Sequence, residues 1–170
     1  MIIDILPIVT LFSHFLLVFL VVAMLNRNGW GRFVLVWINK HLINLTLLVS
    51  LSAVLGSLYY SNIVGFPPCS LCWWQRIFLF PIPIILIMGK IKSDIRVMDY
   101  VTPLAVMSAV LALYQSYVYL GGSSLLPCTA EVGDCSKIYV MAFGYITIPV
   151  MSLTISVYLV ILSWFKKFYA

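Results

Sequence analysis

Apolar residues run along this chain in five long stretches, each close to the roughly 20 residues that a helix needs to cross a membrane. Lipid leaves backbone polar groups without partners unless they pair within a helix or a closed barrel, and no alternating barrel pattern accompanies these runs. The pattern therefore predicts an all-α protein with five transmembrane helices. Their predicted ranges are Ile5–Leu25, Leu42–Tyr60, Leu71–Met88, Tyr100–Leu120 and Phe143–Phe165.

The first apolar run could be mistaken for a signal peptide. Asp4 opens it, Arg27 follows it instead of preceding it, and no small-residue cleavage site comes after it. In a signal peptide, positively charged residues precede the apolar run. We therefore expect a true transmembrane helix over this run.

The stretch "WGRFVLVWINKH" at 30–41 has two interpretations. It is either an amphipathic helix at the membrane interface, with Trp30 and Trp37 at headgroup level, or an early start of the second span.

Composition supports membrane insertion. The chain has 170 residues, of which 64% are hydrophobic and 9% are charged, whereas soluble domains carry about 25% charged residues. The net charge of +5 does not indicate nucleic-acid binding, because the basic residues lie between apolar runs and form no patch. We expect an integral membrane protein with no nucleic-acid partner.

The basic residues predict the orientation of the spans. Eight of the ten lie in segments that five spans place on one side: Arg27, Arg32, Lys40, Lys90, Lys92, Arg96, Lys166 and Lys167. Arg76 and Lys137 lie on the other side. Because cytoplasmic loops carry the excess of Lys and Arg, the amino terminus and the loops 61–70 and 121–142 should face outward, and the carboxyl terminus the cytoplasm.

The four cysteines, Cys69, Cys72, Cys128 and Cys135, lie at or beside the two loops predicted to face outward. Compartments outside the cytoplasm permit disulfides. Three pairings are possible, and proximity in sequence favours 69–72 and 128–135. The second pair suits a structural staple as well as a redox relay. A zinc site is an alternative, but the 128–135 spacing is long for one; we expect no metal.

The first pair belongs to the segment "PPCSLCWWQR" at 67–76. Two prolines are well placed at the start of a helix, so Cys69 and Cys72 should lie at a helix amino terminus. The helix dipole there favours a thiolate. Arg76 follows Cys72 by four residues, and should lie on the same face, about one turn deeper in the bilayer.

Arg76 and the two tryptophans each have a structural and a functional interpretation. A membrane arginine can extend to the interface, or it can stabilise negative charge on a thiolate or a reduced ligand. Trp73 and Trp74 are typical of interfacial aromatic anchors, although they could also wall a flat aromatic ligand. A dithiol that is reduced at each turnover holds two electrons, and it needs an electron acceptor before it can react again. Beside a bilayer, a lipid-soluble quinone is such an acceptor.

The residues that carry this chemistry resemble a known family. "PCSLCWWQRIFLFP" is similar to the CxxC-x-x-x-R signature of the DsbB disulfide bond formation proteins, especially the BdbC-type branch. "PCTAEVGDCSKIYVMAFGYITIPVMSL" (127–153) is similar to their second cysteine loop and last helix. The resemblance covers residues 42–165 and implies a four-helix bundle there. Residues 1–41 would add a transmembrane helix with a linker, and 166–170 a cytoplasmic tail.

The resemblance implies a thiol:quinone oxidoreductase in the bacterial plasma membrane. It would reoxidise an extracytoplasmic thioredoxin-fold protein of the DsbA or BdbD type with ubiquinone or menaquinone. The partner would attack the Cys128–Cys135 disulfide, at Cys128, and electrons would pass to the first pair by a Cys69–Cys135 exchange. Cys72 would contact the quinone, Arg76 would activate it, and Trp73 would bind it. Here only six residues separate the second pair, which weakens the inference of the long-range exchange.

Two rival hypotheses remain. A vitamin K epoxide reductase-like protein also has a bundle with a quinone-facing CxxC, but that family usually places this motif last. A metal-binding or purely structural membrane protein would make no use of Arg76. His14, in the first span, should be hydrogen-bonded to a neighbouring helix.

Overall fold

The computed structural model describes residues 2–26, 29–122 and 137–169, and these residues fold almost entirely into helices. A π-helical turn, Tyr59–Ile63, directly follows the helix that ends at Leu58. The helices are α1 (Ile2–Leu25), α2 (Trp30–Lys40), α3 (Leu42–Leu58), α4 (Ser70–Leu79), α5 (Pro81–Ile91), α6 (Val97–Tyr119) and α7 (Ile148–Tyr169).

Among the described residues, five helical segments are long and apolar enough to cross a membrane, which confirms the all-α, multi-pass class and the number of spans. They are Ile5–Leu25, Leu42–Ile63, Ser70–Ile91, Val97–Tyr119 and Ile148–Lys166.

The predicted start of the last span at Phe143 is wrong, because a tight reversal precedes the helix. Ala142 and Ile146 form an antiparallel bridge, in which the N–H of each donates to the carbonyl of the other at 2.9 Å. Phe143 and Gly144 have φ angles of 52° and 77°, in the left-handed region that a right-handed helix excludes. Helix α7 therefore begins at Ile148 and runs to Tyr169, beyond the predicted end.

The segment 30–41 forms its own helix, α2. His41 separates it from α3 with a non-helical backbone (φ −110°, ψ 16°). Gly31, Leu35 and Ile38 are buried, whereas Trp37 is half exposed. The structure therefore favours the separate amphipathic helix over an early start of the second span.

The third span is bent where α4 meets α5. Pro81 begins α5, and Pro83 follows two residues later. Neither has a backbone N–H, so two helical hydrogen bonds are missing at this level. The proline pair divides the span into a short helix that carries the cysteines and a second helix that packs in the core.

Helices α6 and α7 form the most extensive helix pair. Ala105, Ser108 and Ala112 are fully buried on α6, and Ser108 and Ser156 of α7 are hydrogen-bonded at 2.9 Å. Small residues let membrane helices approach closely, and interhelical hydrogen bonds add to the packing. This pair is the central support of the bundle.

Helix α1 is docked on α7 by polar contacts. Nε2 of His14 lies 2.8 Å from Oγ1 of Thr154, and Nδ1 lies 3.2 Å from the hydroxyl of Tyr145. One helical turn further along α7, the hydroxyl of Tyr158 donates to the carbonyl of Ser13. The expectation that His14 is hydrogen-bonded to a neighbouring helix is confirmed.

We expect a double-mutant cycle of His14→Phe and Thr154→Val to give a coupling energy of about 0.6 kcal/mol, and at most about 1.7 kcal/mol, as for other hydrogen bonds within membranes. Equilibrium unfolding in detergent measures it. A cycle of Phe15→Leu with Thr154→Val is the control, since Phe15 is 68% exposed. Equal coupling in both cycles would contradict a specific His14–Thr154 bond.

Candidate dithiol site and adjoining cavity

The first cysteine pair lies at the amino terminus of α4, as predicted. Cys69 caps the helix with an extended backbone (φ −72°, ψ 170°), and its sulfur accepts a hydrogen bond from the Cys72 N–H at 3.4 Å. The two sulfur atoms are 3.0 Å apart. Cys69 is 4% exposed and Cys72 is more accessible. The pair is therefore placed for thiol–disulfide chemistry, with Cys72 the more open of the two.

The hydrogen bond shared with Cys72, reinforced by burial, raises the pKa of the Cys69 thiol above its ordinary value. We therefore expect Cys69 to keep its proton in the reduced pair.

A chain of buried amides supports the two sulfurs from α6. Nε2 of Gln115 donates to both sulfur atoms, each at 3.4 Å. Its Oε1 accepts from Nε2 of Gln75 at 2.8 Å, and Oε1 of Gln75 accepts from the Ser152 hydroxyl at 2.7 Å. Gln75 is 7% exposed and Gln115 is 2% exposed. The chain holds α4, α6 and α7 in register around the dithiol.

Arg76 is held by α3. Its Nε donates to the Ser57 hydroxyl at 3.0 Å and its Nη2 to the Ser57 carbonyl at 3.1 Å. A guanidinium has five N–H donors, and among the described residues no other acceptor is bonded to it. The remaining donors are available to an oxygen atom of a ligand.

The tryptophans lie on the outside of α4. Trp73 and Trp74 are 52% and 54% exposed. The guanidinium carbon of Arg76 lies 5.2 Å from the Trp73 ring centroid, a cation–π contact. Trp73 is missing from the described residues that line the cavity next to the dithiol. Trp73 is therefore connected to the site by its cation–π contact with Arg76.

A cavity of about 570 Å³ adjoins both cysteines and runs between α1 and the rest of the bundle. Its polar end is lined by Cys69, Cys72, Gln75, Arg76 and Gln115. Its apolar end is lined by Leu16, Phe19, Leu20, Val34, Leu48 and Val49. The cavity therefore places a dithiol and a cation at one end of an elongated apolar space.

Cys128 and Cys135 lie outside the described residues, so the predicted contact between the two pairs stays a prediction. The structure brings together Cys69, Cys72 and Arg76. Sequence reasoning missed Gln115, although a polar residue within an apolar span is a signal of buried hydrogen bonding.

A multi-pass helical membrane protein with a buried cysteine pair beside an apolar cavity belongs to the class of membrane thiol oxidoreductases. The family profile described as "Disulfide bond formation protein DsbB" matches residues 39–165. The chain belongs to the DsbB family and is a disulfide-generating oxidoreductase.

Curated relatives carry the same description. The chain is 42% identical over 104 residues to the SPbeta prophage-derived disulfide bond formation protein B of Bacillus subtilis, covering 61% of this chain and 70% of that protein. It is 40% identical over 121 residues to disulfide bond formation protein C of the same organism, covering 70% and 87%. No solved structure matches the chain.

Proposed function

We propose that the protein passes electrons from an extracytoplasmic thioredoxin-fold dithiol, through its two cysteine pairs, to a quinone in the membrane. The observation that carries this proposal is the cavity at the Cys69–Cys72 pair. It offers a half-buried sulfur, hydrogen-bond donors on Arg76 and an apolar space in one continuous volume. A quinone combines a ring with carbonyl oxygens and an apolar tail, and therefore fits this combination of groups.

The proposed orientation follows from the basic residues, with both cysteine pairs at the outer face. In the structure, Cys69 and the bridge Ala142–Ile146 lie toward the end of the bundle opposite α2 and the ion pair of Asp99 with Lys166. The Tyr119 hydroxyl donates to the Lys137 carbonyl at 2.7 Å, and Gln115, one turn before Tyr119, contacts the Cys69 sulfur, so Tyr119 and Lys137 lie at the same end as Cys69. A soluble partner outside the cell could then reach the second pair.

Electron transfer begins with exchange at the second pair. A partner thiolate attacks the Cys128 sulfur and releases Cys135 as a thiolate, and the partner's second thiolate resolves the mixed disulfide. Cys135 then attacks Cys69 of the Cys69–Cys72 disulfide and releases Cys72. Attack of Cys128 on Cys135 restores the second disulfide and leaves the first pair reduced.

The first pair then returns to the disulfide and gives up two electrons and two protons. A quinone supplies an acceptor for both. Overall, two partner thiols and one quinone are converted to one disulfide and one quinol, so that atoms and electrons balance. Cys72 faces the acceptor, Arg76 donates to a carbonyl oxygen as it gains negative charge, and Gln115 donates to the sulfurs.

The test is a turnover measurement on the purified protein in detergent, with a reduced thioredoxin-fold partner and a soluble quinone analogue. Quinone absorbance and partner thiols are followed together. We expect one quinone reduced for every two thiols lost. Loss of partner thiols with no quinone consumed, in the absence of oxygen, would contradict the proposed acceptor. Bound metal in the purified protein would support the metal-binding rival.

Gln115→Leu should lower turnover by about ten- to a hundredfold, because hydrogen bonds to charged groups contribute about 1.5–3 kcal/mol. Gln75→Leu is the matched control. Each substitution leaves one buried amide of the same chain without its partner, but only Gln115 contacts the sulfurs. Steady-state rates and thermal midpoints are measured for both. An equal loss of turnover in the two variants would mean that Gln115 is only structural.

A further inference from the structure

Helix α1 lines one whole side of the cavity. Its lining residues recur at helical spacing and define one face: Leu6, Val9, Thr10, Ser13, Leu16, Phe19 and Leu20. Phe15 and Val18, on the other side of the helix, are 68% and 62% exposed and do not line the cavity. The family profile begins at residue 39, so α1 is an element added outside the matched region.

The cavity is long and graded in polarity. On α3 it is lined from Leu48 to Ser57, a distance of about 14 Å at the helical rise per residue, and the lining continues into the π-helical turn at Tyr60 and Ser61. The dithiol and Arg76 lie at one end, whereas leucine, valine and phenylalanine side chains line the other. A ligand with a polar ring and a long hydrocarbon tail matches this gradient, whereas a ring alone would leave the apolar end unfilled.

Helix α1 is fixed in place as a wall by contacts that lie next to the cavity. Thr154 and Tyr158, which hold His14 and the Ser13 carbonyl, themselves line the cavity from α7. Helix α2 closes the far end with Val34, Trp37 and Ile38. The added helix thereby places a wall beside what would be a lipid-facing groove of the bundle, and the compartment between them stays partly open.

We propose that α1 forms a binding compartment for the isoprenoid tail of the quinone, and so makes the enzyme selective for long-tailed over tail-less quinones. This inference rests on the proposed function. The polar end binds the ring, whether or not a tail is present. The α1 face and the apolar end contribute affinity through van der Waals contacts with the tail, because moving hydrocarbon from lipid to an apolar cavity has no hydrophobic driving force.

Photolabelling of the full-length protein tests this compartment directly. The probe is a quinone whose isoprenoid tail carries a diazirine, and the labelled residues are mapped by mass spectrometry. We expect labels on Val9, Thr10, Ser13 and Leu16, and few on Phe15 and Val18. Equal labelling of both faces of α1 would overturn the proposal.

A second arm of the experiment distinguishes the quinone tail from a lipid chain, because both are hydrocarbon. A phospholipid with a diazirine in its acyl chain should label the outer face of α1, and unlabelled long-tailed quinone should not change this pattern. Labelling of the cavity face by the phospholipid, undiminished by quinone, would assign the compartment to a lipid and overturn the proposal.

The KM of a variant whose apolar end is partly filled by a larger side chain gives an independent test of tail binding. Ser52 lines the cavity one turn of α3 from Ser57, toward the apolar end. Ser52→Phe should fill part of the apolar end, raise KM for a long-tailed quinone about tenfold, equivalent to about 1.4 kcal/mol, and leave the KM of a tail-less quinone unchanged. Leu55→Phe is the control, because Leu55 is 66% exposed and is not among the described residues that line the cavity.

Equal effects of Ser52→Phe on both quinones would overturn the tail compartment while leaving the proposed function intact. A wild-type protein that reduces neither quinone would instead contradict the proposed function. Photolabelling does not require turnover, so it reports on the compartment separately from this failure.

Discussion

Replacing Cys72 by serine should reduce thiol-dependent quinone reduction to the uncatalysed rate. A serine hydroxyl has nearly the shape of the thiol, but it forms no disulfide and does not transfer electrons. Cys72 lies 3.0 Å from the Cys69 sulfur and lines the cavity, so no neighbouring group can replace it. Partner thiols and quinone absorbance, followed together, measure the loss.

The control for this prediction is Ser70→Ala, which changes a neighbouring residue at the start of the same helix. It should retain near wild-type turnover. The Cys72→Ser protein should still form a trappable mixed disulfide between the partner and Cys128, because that exchange precedes the first pair. Unchanged turnover in Cys72→Ser would contradict electron transfer through the Cys69–Cys72 pair.

Replacing Arg76 by alanine should lower kcat/KM for the quinone about ten- to a hundredfold. The guanidinium is held by Ser57, and Arg76 lines the cavity. A hydrogen bond to a charged group contributes about 1.5–3 kcal/mol, which gives this range of rates. The mixed disulfide with Cys128 should form as in the wild type, since Arg76 acts after that exchange.

Three companion variants separate a catalytic from a structural role of Arg76. Arg76→Lys keeps the charge but loses the fork that binds Ser57, and should recover part of the rate. Ser57→Ala removes one acceptor and keeps the backbone carbonyl, so its effect should be smaller. Arg96→Ala, at an exposed position near the other end of the bundle, should have no effect. Equal loss of quinone reduction and of mixed-disulfide formation in Arg76→Ala would indicate that the arginine is structural.

The sequence predicts the spans well because hydrophobic length is a direct physical requirement of the bilayer. It fails at Phe143, where a local reversal is made by apolar residues and a single glycine, so that hydropathy continues unbroken while the backbone does not. Hydropathy also gives no sign of the division of the third span at Pro81, although the sequence shows its cause, the prolines Pro81 and Pro83.

The site shows the same division between local and long-range features. Cys69, Cys72 and Arg76 share a face of one helix, and their spacing alone predicts it. Their partners do not follow from spacing: Gln115 comes from α6 and Ser57 from α3, 43 and 19 residues away from Cys72 and Arg76. Which helices meet is decided by packing of the whole bundle, and the sequence pattern of one span carries little information about it.

The most direct measurement of the central claim is a single turnover by the first pair alone. A Cys128→Ser, Cys135→Ser double variant is reduced, freed of oxygen and mixed with one equivalent of a quinone analogue. We expect one quinol to form for each protein and the Cys69–Cys72 disulfide to appear at the same rate by mass spectrometry. Quinone that stays oxidised while the dithiol stays reduced would contradict electron transfer from this pair.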